Sequence, residues 1–86
     1  MTKLYQVKDV KAGFVSSPFK QPNNAYAIRT FAETVNKDAF ISEHAEDYQL
    51  FYIGEQNEDT GEITSNVVFL ENASNVAIPK PNETKK

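Results

Sequence analysis

The sequence predicts an α+β protein: a small antiparallel sheet of about four strands, in the order β-β-α-β-β, with one amphipathic helix packed on a face. Three observations predict this class. The chain has 86 residues, 40% of them hydrophobic, which suffices for one domain and excludes a second. One 14-residue segment has apolar residues at helical spacing, whereas the other apolar segments are short and rich in β-branched and aromatic residues. Short connections between these segments favour antiparallel strands.

The first two apolar segments predict a hairpin. Residues 4–10 alternate in part, with Tyr5 and Val7 on one face. A turn at 11–13 leads to a short second strand over 14–17, which the following proline ends because proline donates no ladder hydrogen bond. Residues 19–24 are predicted to form a loop.

The clearest element is a helix over residues 23–36. An asparagine at its start is suited to accept a hydrogen bond from an amide of the first turn, and Asn36 suits a cap at its end. An apolar stripe of the width that a sheet-packing helix needs consists of Ala25, Ile28, Phe31, Ala32 and Val35. A helix this short persists only when such a stripe packs on something.

Residues 48–55 predict a central strand that is apolar on both faces. Tyr48, Leu50 and Tyr52 share one face, whereas Phe51 and Ile53 share the other. One helix covers only one face of a sheet. The other face therefore needs a second cover, and we expect self-association or a ligand there.

The remaining segments complete the predicted domain, which spans residues 1–79. A helical turn is expected at 42–46, with Ser42 as its cap. Residues 57–61 predict a hairpin loop in which Gly61 takes a positive φ. The return strand covers 62–70, either continuous or broken near 65–66. A short edge strand is expected at 76–78, followed by a disordered tail at 80–86.

Charge is distributed unevenly along the chain. The net charge is -3, but residues 1–37 carry six basic and two acidic side chains, whereas residues 38–79 carry nine acidic side chains and no Lys or Arg. Residues 80–86 carry three lysines and one glutamate. Either one domain has a basic and an acidic face, which would allow an anionic partner, or the two halves neutralise each other across the sheet.

Several classes of function are disfavoured by what the sequence lacks. It has no cysteine, which excludes thiol nucleophiles and cysteine-ligated metals. Its single histidine, His44, has no set of catalytic partners, so we expect no enzyme, no catalytic residues, no metal site and no cofactor. The sequence has no membrane-spanning run and no signal peptide, so we expect a soluble protein that is not secreted. The two glycosylation sequons, at Asn72 and Asn82, are then chance matches.

The N-terminal half contains the residue types that bind single-stranded nucleic acid. Such proteins stack bases on aromatic faces and hold phosphates with Lys or Arg, and each stack contributes about 1–3 kcal/mol. Basic and aromatic residues are interleaved here, although most aromatic residues of so small a domain are expected in its core. The candidate DNA-binding residues are Lys3, Lys8, Lys11, Phe14, Phe19, Lys20, Tyr26 and Arg29.

Three stretches of the chain resemble one family. They are LYQVKDVKAGFVSSPFKQPN, AYAIRTFAETVN and EDYQLFYIGEQNEDTGEI, which together cover about residues 4–63. They are similar to the small nonstructural protein of the gokushovirus-type microviruses, which are phages with single-stranded DNA genomes. A proline usually precedes the Glu-Asp-Tyr of that family, where this chain has Ala45; the difference falls in a loop and leaves the predicted fold intact.

The resemblance implies a non-capsid, DNA-binding protein of the bacterial host cytoplasm that acts in single-stranded genome synthesis or packaging. It supplies no catalytic residues. The predicted partners are single-stranded DNA, a second copy of the chain, and a phage or host replication protein. The alternative is an interaction module that regulates such a replication protein through its acidic half and does not touch DNA.

Overall fold

A five-stranded antiparallel sheet forms the frame of the molecule in the computed structural model, which describes residues 1–78. The strands follow the order β2-β1-β4-β5, and β3 pairs with β1. The predicted α+β class is thus confirmed, with one more strand than expected. The predicted tail lies outside the described residues. The elements are β1 (Thr2–Asp9), β2 (Gly13–Phe14), β3 (Phe19–Lys20), α1 (Asn24–Lys37), α2 (Ala39–Glu43), β4 (Tyr48–Gln56), β5 (Ile63–Asn72) and α3 (Ala73–Val76).

The two edges of the sheet are built differently. β1 pairs along its whole length with β4, from Thr2 opposite Gln56 to Asp9 opposite Tyr48. Its other edge is shared by the two-residue strands β2 and β3. At the far side of the sheet, β5 pairs with β4 and, within residues 1–78, with no further strand. One edge is therefore short and interrupted, and the other is a ten-residue strand.

Helix α1 packs on one side of the sheet, which we call the covered face. Its buried residues Ala27, Phe31 and Val35 follow helical spacing. They form one core cluster with buried side chains from the strands and the short helices, namely Tyr5, Ala45, Tyr48, Leu50 and Ala73. The opposite side, which no helix covers within the described residues, is the open face.

The helix boundaries follow from local hydrogen bonds. The side chain of Asn23 accepts from the amide of Tyr26 at 2.8 Å, which caps α1 as predicted. Asn36 was wrongly predicted to end this helix: it lies inside α1 and its amide donates to the carbonyl of Val76 at 3.0 Å. Asp38 ends α1 and also caps α2, where its carboxylate accepts from the amides of Phe40 and Ile41.

Other boundaries differ from the prediction for identifiable reasons. Strand β2 ends at Phe14, although the amide of Val15 still donates to the carbonyl of Val7 at 3.0 Å. The chain returns to β1 at Phe19, in a segment that was predicted to be a loop. A cap at Asp38 starts the helical turn earlier than Ser42, so α2 ends at Glu43 and a 3-10 turn follows at Ala45–Asp47. The predicted edge strand at 76–78 is wrong, because residues 73–76 form α3.

The β4–β5 hairpin is regular at its turn and irregular in its middle. Gly61 takes a φ of 79°, as predicted, and its amide donates to the carbonyl of Asn57 at 2.7 Å. The register shifts between Tyr52 and Gly54, near the predicted break in the return strand. Gly54 has a φ of 142°, and a Cβ there would collide with the carbonyl oxygen of Thr64. Glycine is therefore required where the backbone of β5 lies against this position.

Candidate nucleic-acid interface on the open face

Strand alternation determines which β1 side chains reach the open face. Tyr5 is fully buried in the core cluster, and Val7 packs against that cluster. Successive side chains of a strand point to opposite faces, so Gln6 and Lys8 point to the open face. Lys8 pairs in register with Phe14 of β2, which places that ring on the same face.

Three phenylalanine rings form a row across the open face, which we call the phenylalanine row: Phe14, Phe51 and Phe69. The centroids of Phe14 and Phe51 lie 5.3 Å apart, and those of Phe51 and Phe69 lie 5.7 Å apart. Both pairs meet edge to face. Phe14 is 44% exposed and Phe69 is 46% exposed. Aromatic surface is thus presented to solvent across three strands.

Lys8 adds a cation to the phenylalanine row. Its Nζ lies 5.6 Å from the centroid of Phe14 and 5.7 Å from that of Phe51. Both distances are within the range of a cation–π interaction. Within residues 1–78, Lys8 makes no ion pair with a carboxylate. A positive charge is therefore held next to exposed aromatic rings without an acidic partner among the described residues.

The acidic half of the sequence does not place its carboxylates around the phenylalanine row. Phe51 pairs with Phe69, and Gln49 pairs with Asn72, to which its side-chain amide donates at 3.2 Å. Glu71 pairs with the core residue Leu50 and therefore lies on the covered side. The ladder positions at the centre of the open face carry no acidic residue: Gln6, Lys8, Gln49, Phe51, Phe69 and Asn72.

Three of the other predicted basic residues are engaged by carboxylates. Two of these pairs join the basic N-terminal segment to the acidic segment, as the neutralisation alternative predicts, and the third lies along α1. They are Lys3 with Glu55 at 3.4 Å, Lys11 with Asp47 at 3.5 Å, and Arg29 with Glu33 at 4.0 Å. Exposed pairs of this kind stabilise little, but they lower the positive potential available to a phosphate.

The remaining predicted residues lie away from the phenylalanine row. Phe19 is half-buried and packs against the core cluster, with its ring 6.2 Å from that of Tyr5. Tyr26 is 51% exposed on α1, so it lies on the covered side of the sheet. Lys20 is exposed on the edge strand β3. The structure thus brings together Lys8 and Phe14, but not the full predicted set.

Phe51 and Phe69 were missing from the predicted site, although the sequence carried a signal for Phe51. The two-sided apolar pattern of residues 48–55 placed Phe51 on the face that no helix covers. The residue types around Phe69 predict a strand but not its register. The register of β5 against β4 shifts by one residue between the pairs Leu50–Glu71 and Phe51–Phe69, and the sequence does not show this shift. Neither residue has a basic neighbour in the sequence, because residues 38–79 contain no Lys or Arg, so the pattern of interleaved basic and aromatic residues does not include them.

The covered side holds an apolar cavity of about 270 Å³. It is lined by Val7, Phe19, Phe31, Val35 and Ile41 together with three hydroxyl side chains. Small-molecule sites are usually somewhat larger and present several converging polar groups. This cavity is a gap at the margin of the core and does not share residues with the phenylalanine row.

Polar chemistry elsewhere in the described residues is sparse. No group of three or more His, Asp or Glu residues within 1–78 is placed to hold a metal ion. The His44 ring stacks on Phe40 at 4.4 Å, and its Nδ1 lies 2.9 Å from the carbonyl oxygen of Phe40. Burial raises the pKa of Tyr5, with a smaller contribution from Tyr52. Burial also raises the pKa of Tyr48, and nearby carboxylates raise it further.

The fold and the open face together define a class: a small α+β protein that presents an aromatic row on the uncovered side of an antiparallel sheet. Comparison with known families then gives the family. Residues 2–76 match the family described as Phage ORF5 protein, and the chain belongs to that family. No curated protein and no solved structure matches the chain. No helix within residues 1–78 has the length and hydrophobicity needed to cross a membrane.

Proposed function

We propose that this phage protein binds single-stranded DNA weakly on its open face, within the phage's genome replication or packaging in the host cytoplasm. The observation that carries the proposal is the phenylalanine row with Lys8 beside it. Bases stack on exposed aromatic rings regardless of sequence, and a neighbouring cation holds a phosphate. The resemblance to the nonstructural protein of the gokushovirus-type microviruses supports the same proposal, because the genomes of those phages are single-stranded DNA.

The geometry favours single strands over duplexes as the ligand. The bases of a duplex are stacked on each other and unavailable to a flat row of rings, whereas an unpaired strand exposes the face of every base. Stacking on two or three rings gives most of the affinity. Lys8 is the only cation at the centre of this face in the described residues, so electrostatics adds little.

Fluorescence-anisotropy titration of labelled oligo-dT tests this proposal. We expect Phe14→Ala and Phe69→Ala each to weaken binding by roughly 5- to 150-fold, the equivalent of about 1–3 kcal/mol per stacked base. Phe40→Ala is the matched control, because Phe40 is 59% exposed on α2, away from the sheet. Absence of binding at tens of micromolar and low salt, or equal affinities of the open-face and control variants, would contradict the proposal.

The salt dependence of binding tests the role of Lys8. One phosphate contact contributes about -0.7 to the slope of log affinity against log salt for a single strand. We expect Lys8→Gln to remove roughly that amount, whereas Lys37→Gln, in the last turn of α1, leaves the slope unchanged. If both lysine variants behave alike, the phosphate contact is not made by Lys8.

A further inference from the structure

The bare edge of β5 is the most unusual surface outside the phenylalanine row. Every residue from Ile63 to Phe69 is exposed, including four large apolar side chains that are 42–57% exposed: Ile63, Val67, Val68 and Phe69. No strand or helix within residues 1–78 pairs with the outward edge of β5. Natural proteins normally protect such an edge with lysine, proline, a bulge or a covering element, because its free amides and carbonyls attract another strand.

The opposite edge of the same sheet shows that protection. β1 is bordered there by two strands of only two residues each, separated by a segment that includes Pro18. β5 has ten residues and no lysine, arginine or proline. Its stretch 63–70 also lacks acidic residues, in a region of the chain that is otherwise strongly acidic. The sequence therefore leaves this one edge uncharged.

We propose that β5 pairs antiparallel with β5 of a second copy of this chain, so that two sheets join into one across a two-fold axis. Identical strands satisfy each other's backbone groups in this arrangement, and two-fold dimers are the commonest assemblies. Charge also favours a second copy. The stretch 63–70 is uncharged, so an antiparallel ladder along it brings no like charges opposite each other.

The register follows from the faces of the strand. Val67 and Phe69 lie two residues apart and so share the open face, and a joined sheet keeps residues of one face together. An axis at Asn66 meets this condition and places Ile63 opposite Phe69. It also places Glu62 opposite Leu70, away from Glu71. β-branched and aromatic residues then face each other across the new ladder, which is a stabilising type of pair.

The area available predicts a weak dimer. Four side chains that are about half exposed contribute roughly 100 Å² each, and with the backbone the total is near 1,000 Å² for both copies, the lower limit of specific interfaces. The chain's own residues 79–86 are poor substitutes on this edge, because Pro79 and Pro81 lack ladder donors. A second copy of this chain is therefore the occupant.

The dimer would double the proposed DNA surface. A two-fold axis perpendicular to the sheet keeps both open faces on the same side, so the two phenylalanine rows lie on one surface, with each Phe69 opposite Ile63 of the other copy. This consequence rests on the proposed function, whereas the dimer itself does not. Two rows on one surface would offer more stacking positions to a strand than one row, without any new residue type.

Sedimentation equilibrium of three proteins tests the pairing. We expect the wild-type mass to rise from 9.7 kDa toward twice that value as concentration increases to millimolar. Val68→Lys should stay monomeric, because it places a charge on an exposed position of the edge without disturbing the core. Thr60→Lys makes the same charge change at the exposed hairpin turn and should dimerise as wild type does. A monomeric wild type, or equal dimerisation of the two variants, would overturn the proposal.

Disulfide formation gives a second readout, which is clean because the chain has no cysteine. Asn66→Cys places two thiols across the proposed axis, whereas Thr60→Cys places them at the exposed turns. We expect faster oxidation to a covalent dimer for Asn66→Cys, and equal rates would exclude this register. Titrating oligo-dT with Val68→Lys separates the two proposals. If this monomeric variant still binds oligo-dT, the proposed DNA binding does not depend on the dimer, and failure of one proposal leaves the other standing.

Discussion

The two faces of the sheet carry the same residue types but bury them to different extents. On the covered face, Tyr5, Leu50 and Val35 are fully buried and belong to one cluster with α1. On the open face, Phe14 and Phe69 stay nearly half exposed, although their rings touch Phe51. Apolar side chains on the first face are removed from water by folding, whereas those on the second remain available to a ligand.

This difference separates the residues that stabilise the fold from those of the proposed binding surface within the nine residues of one strand. β4 contributes Leu50 to the core and Phe51 to the phenylalanine row, and only alternation of the strand divides them. Half-exposed rings contribute less to folding than buried ones, since less of their area is removed from water. Substitutions on the two faces should therefore have separable effects on stability and binding.

The largest effect is expected at the centre of the covered face. Leu50 is completely buried, so Leu50→Ala removes buried methyl groups and leaves a cavity, which should lower the free energy of unfolding by about 3 kcal/mol. Urea denaturation followed by circular dichroism measures this change. Ile63→Ala is the control: Ile63 is 57% exposed, and its effect should be within about 0.5 kcal/mol. Equal effects of the two substitutions would contradict the assigned core.

Phe69→Ala should have a smaller effect on stability than on binding. It removes a half-exposed ring and one edge-to-face contact, at 5.7 Å from Phe51, so we expect a loss of about 1.5 kcal/mol. Denaturation at low micromolar concentration measures the folding change without a contribution from self-association. A loss as large as that of Leu50→Ala would show that the open face belongs to the core, and the contrast between the faces would fail.

Periodicity in the sequence identified most of the fold. The helix at 23–36 and the strand at 48–55 were predicted to within one residue, because apolar spacing and an asparagine cap are local signals. The edge strand predicted at 76–78 was wrong because three apolar residues satisfy either a strand or a helical turn. Strand β3 was missed because pairing with β1, a tertiary interaction, is what makes two residues a strand.

The site was harder to predict, since it depends on register. The sequence shows that residues 48–55 have an uncovered apolar face, but it does not show which strands stand beside them. Phe14, Phe51 and Phe69 are far apart in the chain and meet only through the order β2-β1-β4-β5. The ion pairs of the basic residues depend on the fold in the same way. Lys3 and Lys11 have no acidic partner that the sequence identifies, whereas in the fold carboxylates from the acidic half lie within ion-pair distance of both.

Tyr5 tests a polar contact within the covered face. Its buried hydroxyl donates to Oδ1 of Asn24 at 2.8 Å, linking β1 to the first turn of α1. Tyr5→Phe should lower the free energy of unfolding by about 1 kcal/mol, because the hydrogen bond is lost and the ring stays in place. A double-mutant cycle with Asn24→Ala isolates this contact. Additive effects of the two substitutions would show that the hydroxyl does not couple the strand to the helix.

The smallest effect on stability is expected at the end of the sheet where β1 begins, at a contact that belongs to neither the covered nor the open face. The carboxylate of Glu58 accepts from the Thr2 hydroxyl, and the Met1 amino group lies 3.2 Å away. The Thr2 hydrogen bond, followed by a backbone hydrogen bond and the amino group, lowers the pKa of Glu58 from 4.5 to about 2. A lowered pKa in the folded state means that this contact stabilises the protein above pH 4.5 and is lost as the pH falls toward 2.

Thr2→Ala should therefore raise the pKa of Glu58 toward its ordinary value, which an NMR titration of the side-chain carboxyl measures directly. Thr60→Ala is the control, since the Thr60 hydroxyl accepts from the amide of Glu62 and makes no contact with Glu58. Because Glu58 is exposed to solvent, the accompanying loss of stability should be small. It should be largest above pH 4.5 and vanish toward pH 2, where the carboxylate is protonated with or without Thr2. An unchanged pKa would mean that the Thr2 hydroxyl is not what lowers the pKa of Glu58.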